Sequence, residues 1–170
     1  VETRRGRGGG TVVTLRPTVP SRASARRRTP ARRDAWLDAL DFRRIVEPGA
    51  CALAASATLS EASRGALTQA HDAVASAQQP AAHRQADSRF HLTLASVTGS
   101  ARTIEAVTSV QATLHEMLSA IPVLDANITH SDRQHARIVR AVLAGRATEA
   151  RRVMEQHCDD TAALLRGLVG

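Results

Sequence analysis

A chain of 170 residues with 43% hydrophobic side chains is long enough for one well-buried domain plus an appendage, too short for two full domains, and too apolar to be disordered. Only Trp36, Phe42 and Phe90 are aromatic, so the core must be aliphatic, which suits close helix packing better than a sandwich of short strands. The net charge of +7 is localised: through Arg44 twelve arginines face four acids, whereas the remainder holds eleven arginines and twelve acids. A basic N-terminal arm of this kind is the footprint of a polyanion partner, usually nucleic acid, or else a solvated tail.

Cys51 and Cys158 lie far apart with no CxxC spacing, which argues against a disulfide framework or a cysteine zinc knuckle. No apolar run approaches the roughly 18 residues of a membrane span, and no hydrophobic segment follows the basic arm as a signal peptide requires. The expected location is the cytoplasm, with no membrane partner.

Taken in order, residues 1–14 form two short runs that suit strands around the glycines Gly8, Gly9 and Gly10, which Arg4, Arg5 and Arg7 flank. Such a tip can approach a phosphate backbone closely, but no Gly-Lys-Ser/Thr follows, so it is not a phosphate loop. The run RRGRGGGTVV resembles the wing hairpin of the winged helix-turn-helix in GntR-type transcription regulators. That resemblance implies that the recognition helix would lie upstream of this sequence. Residues 15–33, with Pro17, Pro20, Pro30 and seven arginines, read as a basic linker.

From residue 34 onward the pattern is helical, and residues 34–170 read as one domain. Asp34 suits an N-cap, and Trp36, Leu37, Leu40, Ile45 and Val46 open an apolar face. Pro48 fits the first turn of a continuing or new helix that carries residues 50–55 inward, Leu53 among them. Further helices are expected from Ser60 to the Gln-Gln-Pro at 78–80, from about Ala81 to Gly99, and from Ser100 to Pro122. Two more run from Ala126 or Ser131 to Gly145, and from about Thr148 to the end. The expected fold is an all-α antiparallel bundle of about six helices.

Asp87 and His91 stand one turn apart on the third of these helices, where a carboxylate and an imidazole can meet one cation. His135 and His157 are equidistant from the turn at residue 146, each about 16 Å away along its helix, so in an antiparallel pair they share a level. One carboxylate and three imidazoles suit a divalent ion, Zn²⁺ foremost, with Ni²⁺, Mn²⁺ and Fe²⁺ also open. Any one of these histidines alone is an ordinary core residue; the joint spacing carries the case. His83 lies near a helix start and reads as surface.

The blocks DFRRIVEPGACALAA (41–55), ADSRFHLTLASVTGS (86–100) and DRQHARIVRAVLAGRATEARRVMEQHC (132–158) together resemble the FCD domain, the ligand-binding domain of FadR-subfamily GntR regulators. The resemblance implies metal ligands at Asp87, His91, His135 and His157, and a carboxylate-binding role for Arg43 ahead of Glu47 and Pro48. It also implies an effector contact at Ser100, where many members carry Asn after Ser/Thr-Gly. The function it implies is a homodimeric transcription regulator that is not an enzyme: a metal and a small organic acid bind the helical domain and control DNA binding. The competing class is a metal-dependent hydrolase using the same Asp and His set.

Overall fold

The spacing of three and four between apolar residues does produce helices. The computed structural model describes the backbone of residues 2–3, 11–12, 30–119 and 125–169, and the side chains of 31–119 and 127–167. Six helices lie in the described residues: α1 (Pro30–Ser56), α2 (Glu61–Ser76), α3 (Pro80–Ser96), α4 (Ala101–Ser119), α5 (Asp125–Leu143) and α6 (Ala147–Val169). They make an all-α bundle in which α1 lies along α6, and α5 and α6 form a hairpin. Ahead of them, β1 (Glu2–Thr3) and β2 (Thr11–Val12) pair antiparallel, Glu2 opposite Val12. The residues expected to touch DNA, Arg4, Arg5, Arg7, Gly8, Gly9 and Gly10, lie outside the described residues, as do most of the linker and Pro122.

Two expectations about α1 need correction. Asp34 is not its N-cap, because the helix begins at Pro30 and Asp34 is an exposed residue inside it. The preceding turn is held from a distance: Arg32 pairs with Glu116 of α4, and its guanidinium lies 5.7 Å over the Trp36 ring. Ile45 and Leu53, expected inward, are 71% and 46% exposed. The buried stripe runs through Trp36, Leu40, Arg43, Glu47, Cys51 and Ala54, so positions 45 and 53 fall on the other side. Pro48 is buried within the continuous helix, where it deprives the Arg44 carbonyl of its usual donor.

The apolar interior divides into two clusters. One joins Cys51 and Ala54 of α1 to Leu67 and Val74 of α2, Phe90 and Leu94 of α3, and the facing sides of α5 and α6. The other joins Trp36 and Leu40 to Leu114 and Met117 of α4 and to Ala162 and Leu165 of α6. Along α1 the buried residues between the clusters are Arg43 and Glu47; on α6, buried His157 lies next to Cys158, at the end of the first cluster. A buried polar layer is therefore sandwiched between two aliphatic ones, and it is the part of the molecule that composition alone does not explain.

The hairpin that brings α5 and α6 together depends on its turn. Arg146 N–H donates to Ala141 O at 2.9 Å and Gly145 N–H to Val142 O at 3.0 Å, the paired bonds of a Schellman cap, with Gly145 at φ +71°. A Cβ at Gly145 would meet only the Ala55 carbonyl oxygen, at 3.7 Å, so space is not the constraint. The left-handed backbone is, and Gly145→Ala should cost about 1–2 kcal/mol. Urea unfolding of the variant checks this, and an unchanged midpoint would show that the turn tolerates a side chain.

Candidate functional site

His91, His135 and His157 come from α3, α5 and α6, and all three are buried. Their potential ligand atoms lie within 4.8 Å of one another, a group that can hold a metal ion. Ring centroids are 5.4 Å apart for His91 and His135, 5.2 Å for His91 and His157, and 4.7 Å for His135 and His157. The last pair is level across the hairpin, as their equal distance from residue 146 requires. Asp87, one turn before His91, places Oδ1 3.5 Å from His135 Nε2. Phe90 packs its ring 4.5 Å from that of His135 and closes the apolar side.

What stands behind the rings decides which nitrogen each one offers. His157 Nδ1 lies 3.0 Å from Gln134 Oε1, an acceptor, so the proton belongs on Nδ1 and the Nε2 lone pair is left for the site. His91 Nδ1 is 3.0 Å from Glu47 Oε2, at ion-pair distance although not aligned as a hydrogen bond. The Nε2 of His91 is 3.5 Å from Arg43 Nη2, the outer limit of any hydrogen bond, so its lone pair is barely engaged. His135 Nδ1 is buried without a hydrogen-bond partner, with Asp132 Oδ1 at 3.9 Å.

Burial, and then the positive charges around them, push His135 and His157 well below the ordinary imidazole value of 6.5. Both are neutral near pH 7, the form that coordinates a cation. The donor set thus fits a borderline divalent ion: three ring nitrogens, those of His91 and His157 with a carboxylate or amide oxygen behind the other nitrogen, and one carboxylate beside them.

Arg43 is 1% exposed, so it is no surface charge. Its Nε donates to Glu47 Oε2 at 3.0 Å, and Glu47 Oε1 accepts from Gln111 Nε2 at 2.6 Å. Burial opposes both charges, yet each holds the other ionised: Arg43 is raised by Glu47, and Glu47 is lowered to about 2 by Arg43 and His91. Arg43 Nη1 is buried and has no hydrogen-bond partner among the described residues. Arg43, Asp87, Gln134 and His157 line a cavity of about 150 Å³ that Leu114 and Leu164 close on its apolar side. A cavity of that size takes a molecule about as large as benzene.

Ser100 is not brought to this place. Its hydroxyl caps α4, accepting from Thr103 N–H at 3.3 Å, and the described residues that line the cavity do not include it. His83, expected at the surface, is 7% exposed, stands 3.3 Å from Asp132 and lines the cavity. Glu47, Gln111 and Gln134 were not singled out by the sequence. For Glu47 a signal existed: it and Arg43 are charged positions four apart on an otherwise apolar stripe. For the two glutamines there was none, because their partners are 64 and 23 residues away.

An all-helical bundle with a buried polar cluster opening on a small cavity defines a class, a helical small-ligand-binding domain. The FCD domain model matches residues 38–160, which is most of the chain, and the chain belongs to that family. The FCD domain is a ligand-sensing regulatory domain of GntR-type transcription regulators. Nothing among curated proteins matches the chain. Among the described residues no helix is long and apolar enough to cross a membrane.

Two outcomes follow from the buried charges. In the metal-free protein, His135 and His157 stay neutral below pH 6.5 while the unfolded chain takes up protons there, so stability falls as pH falls from about 6.5. With up to two protons involved, the slope is on the order of 1–3 kcal/mol per pH unit. Glu47, lowered from 4.5 to about 2, adds a further loss only below about pH 4.5. Chelator-treated protein melted between pH 7 and 5 checks the first window, and a flat melting temperature contradicts it. Glu47→Ala leaves Arg43 charged and buried and should cost about 3–5 kcal/mol by chemical denaturation; a loss below about 1 kcal/mol would mean that water reaches the pair.

Proposed function

We propose that this chain is the sensing part of a ligand-responsive DNA-binding regulator, in which Asp87, His91, His135 and His157 hold a divalent metal ion and a small organic acid binds beside it. The observation that carries the reading is the convergence of three buried imidazoles, one of which, His157, lines the cavity that Arg43 and Asp87 also line. When bound, the ion supplies a Lewis-acid contact for one oxygen of the acid. Glu47 and Gln134 fix the orientation of His91 and His157, and Phe90 keeps water from His135. Arg43 Nη1 is the N–H donor still free to meet a second oxygen of the acid.

Charge supports an anionic effector. Arg43 and Glu47 neutralise each other, so Asp87 is the one uncompensated charge among the four proposed ligands. A divalent ion then leaves the site with one positive charge to be met by a carboxylate. The size of the cavity restricts that acid to a few carbons. Zn²⁺ heads the metals that this nitrogen-rich set favours, with Ni²⁺, Mn²⁺ and Fe²⁺ compatible.

The remaining parts of the reading rest on the sequence resemblance. The paired strands β1 and β2 are the wing of a winged helix-turn-helix, in which Arg4, Arg5 and Arg7 with Gly8, Gly9 and Gly10 meet DNA, and residues 15–33 link it to the domain. The regulator is of the FadR subfamily, works in the cytoplasm and forms a homodimer; Phe42, Ile45 and Leu53, exposed along one side of α1, suit a second copy. The acid controls DNA binding only if it prefers one arrangement of the dimer, since equal affinity shifts nothing.

Elemental analysis of protein purified without added metal should find about one divalent ion per chain, and Asp87→Ala or His157→Ala should remove it. Metal at a hundred times its Kd should add about 2.7 kcal/mol of stability. Small carboxylates should raise the melting temperature of the metal-loaded protein further, and Arg43→Lys should weaken the acid about tenfold while keeping the metal. No metal uptake on adding Zn²⁺ or Ni²⁺ would sink the site, and steady turnover of carboxylate esters would replace the sensor by a hydrolase.

A further inference from the structure

On the outer side of the α5–α6 hairpin lies a second concavity of about 450 Å³, and it does not belong to the site above. Its lining carries Arg133 and Arg137 on α5 and Arg152 on α6, all exposed. The antiparallel packing that puts His130 Nε2 2.8 Å from Asp160 also brings Arg133 and Arg137 of α5 to the same concavity as Arg152 and Gln156 of α6. Several other arginines of the described surface are paired, among them Arg44 with Asp159 and Glu155, Arg146 with Glu149, Arg151 with Glu155, and Arg166 with Asp41; Arg133, Arg137 and Arg152 differ from the remaining unpaired ones in lining one concavity together. Among the described residues, none of Arg133, Arg137 and Arg152 has an acidic partner within ion-pair distance. Like charges at such spacings repel, so the cluster costs stability as it stands.

The one acid in the lining does not relieve them. Asp160 is occupied on both oxygens, Oδ2 by His130 at 2.8 Å and Gln134 Nε2 at 2.7 Å, and Oδ1 by Gln156 Nε2 at 2.8 Å. The groove therefore offers three guanidinium forks and no free carboxylate. Forked N–H pairs match oxyanions, and a concave wall on two helices suits a small ligand better than the flat flank of a duplex.

We propose that the α5–α6 groove is a second ligand site, for a small multivalent oxyanion of the phosphate class, held by Arg133, Arg137 and Arg152. The site stands apart from the metal reading, because none of these three residues lines the inner cavity. The three residues common to both cavities are His130, Gln134 and Asp160, which form the wall between them.

Inorganic phosphate titrated into the chelator-treated full chain, at ionic strength held constant with chloride, provides the test. One saturable site per chain is expected by calorimetry, with a rise in melting temperature that chloride does not give. Arg137→Gln and Arg152→Gln, both at exposed positions, should each weaken phosphate about tenfold or more, and the double variant should abolish binding while unfolding at the wild-type temperature without phosphate. His135→Ala, which removes a ring that lines neither concavity, should leave phosphate binding unchanged. Equal response to phosphate and chloride, wild-type affinity in the double variant, loss of binding in His135→Ala, or binding of duplex DNA but not phosphate would each overturn the proposal.

Discussion

The ion pair of Arg43 and Glu47 is the contact on which the interior depends. Two charges on one turn of α1 are removed from water, an arrangement whose desolvation cost is recovered only when the remaining donors and acceptors are also satisfied. Glu47 meets that demand from four helices: Arg43 on its own, His91 from α3, Gln111 from α4 and, at 3.9 Å, the Cys158 thiol from α6. The carboxylate therefore sets where those helices stand relative to each other. The aliphatic clusters on either side supply most of the burial, but they could slide past one another at little cost; a hydrogen-bonded carboxylate between them cannot.

That same pair shapes the chemistry of the histidines. Burial makes His135 and His157 worse bases, and the nearby Arg43 cation acts in the same direction. Those two rings stay neutral near pH 7 without any metal to hold them so. The cost is three imidazoles with few partners and, among the described residues, His135 Nδ1 with no hydrogen bond. The Cys158 thiol, pushed up to about 12 by burial, stays protonated beside the pair and adds no further charge.

How much of this was legible follows from the range over which each feature is determined. Helices and their stops are local, and so Gly99, Gly145, Ser60 and Pro80 were readable as punctuation. The level of His135 and His157 needed only the count to a common turn. Features decided by contacts far along the chain were not readable. α1 extends back to Pro30 because Arg32 finds Glu116, and His83 is buried because α5 brings Asp132 to it. Ile45 and Leu53 look like core residues until Arg43 and Glu47 are admitted to the buried stripe. Ser100, given a role by resemblance, has a local one as a helix cap that a sequence reading could have supplied.

Gln134 ties the inner site to the outer surface of the hairpin. Its carbonyl oxygen accepts from His157 and its amide nitrogen donates to Asp160, so both ends of a single planar group are committed in opposite directions. Rotating the amide to improve one contact would present the wrong atom to the other. Asp160 is in turn fixed by His130 and Gln156. A change at Asp160 on the groove side therefore reaches the orientation of His157 through two hydrogen bonds, without a helix having to move. By linkage the converse holds with the same free energy: whatever fixes His157 more tightly must also favour the arrangement of Asp160 that goes with it.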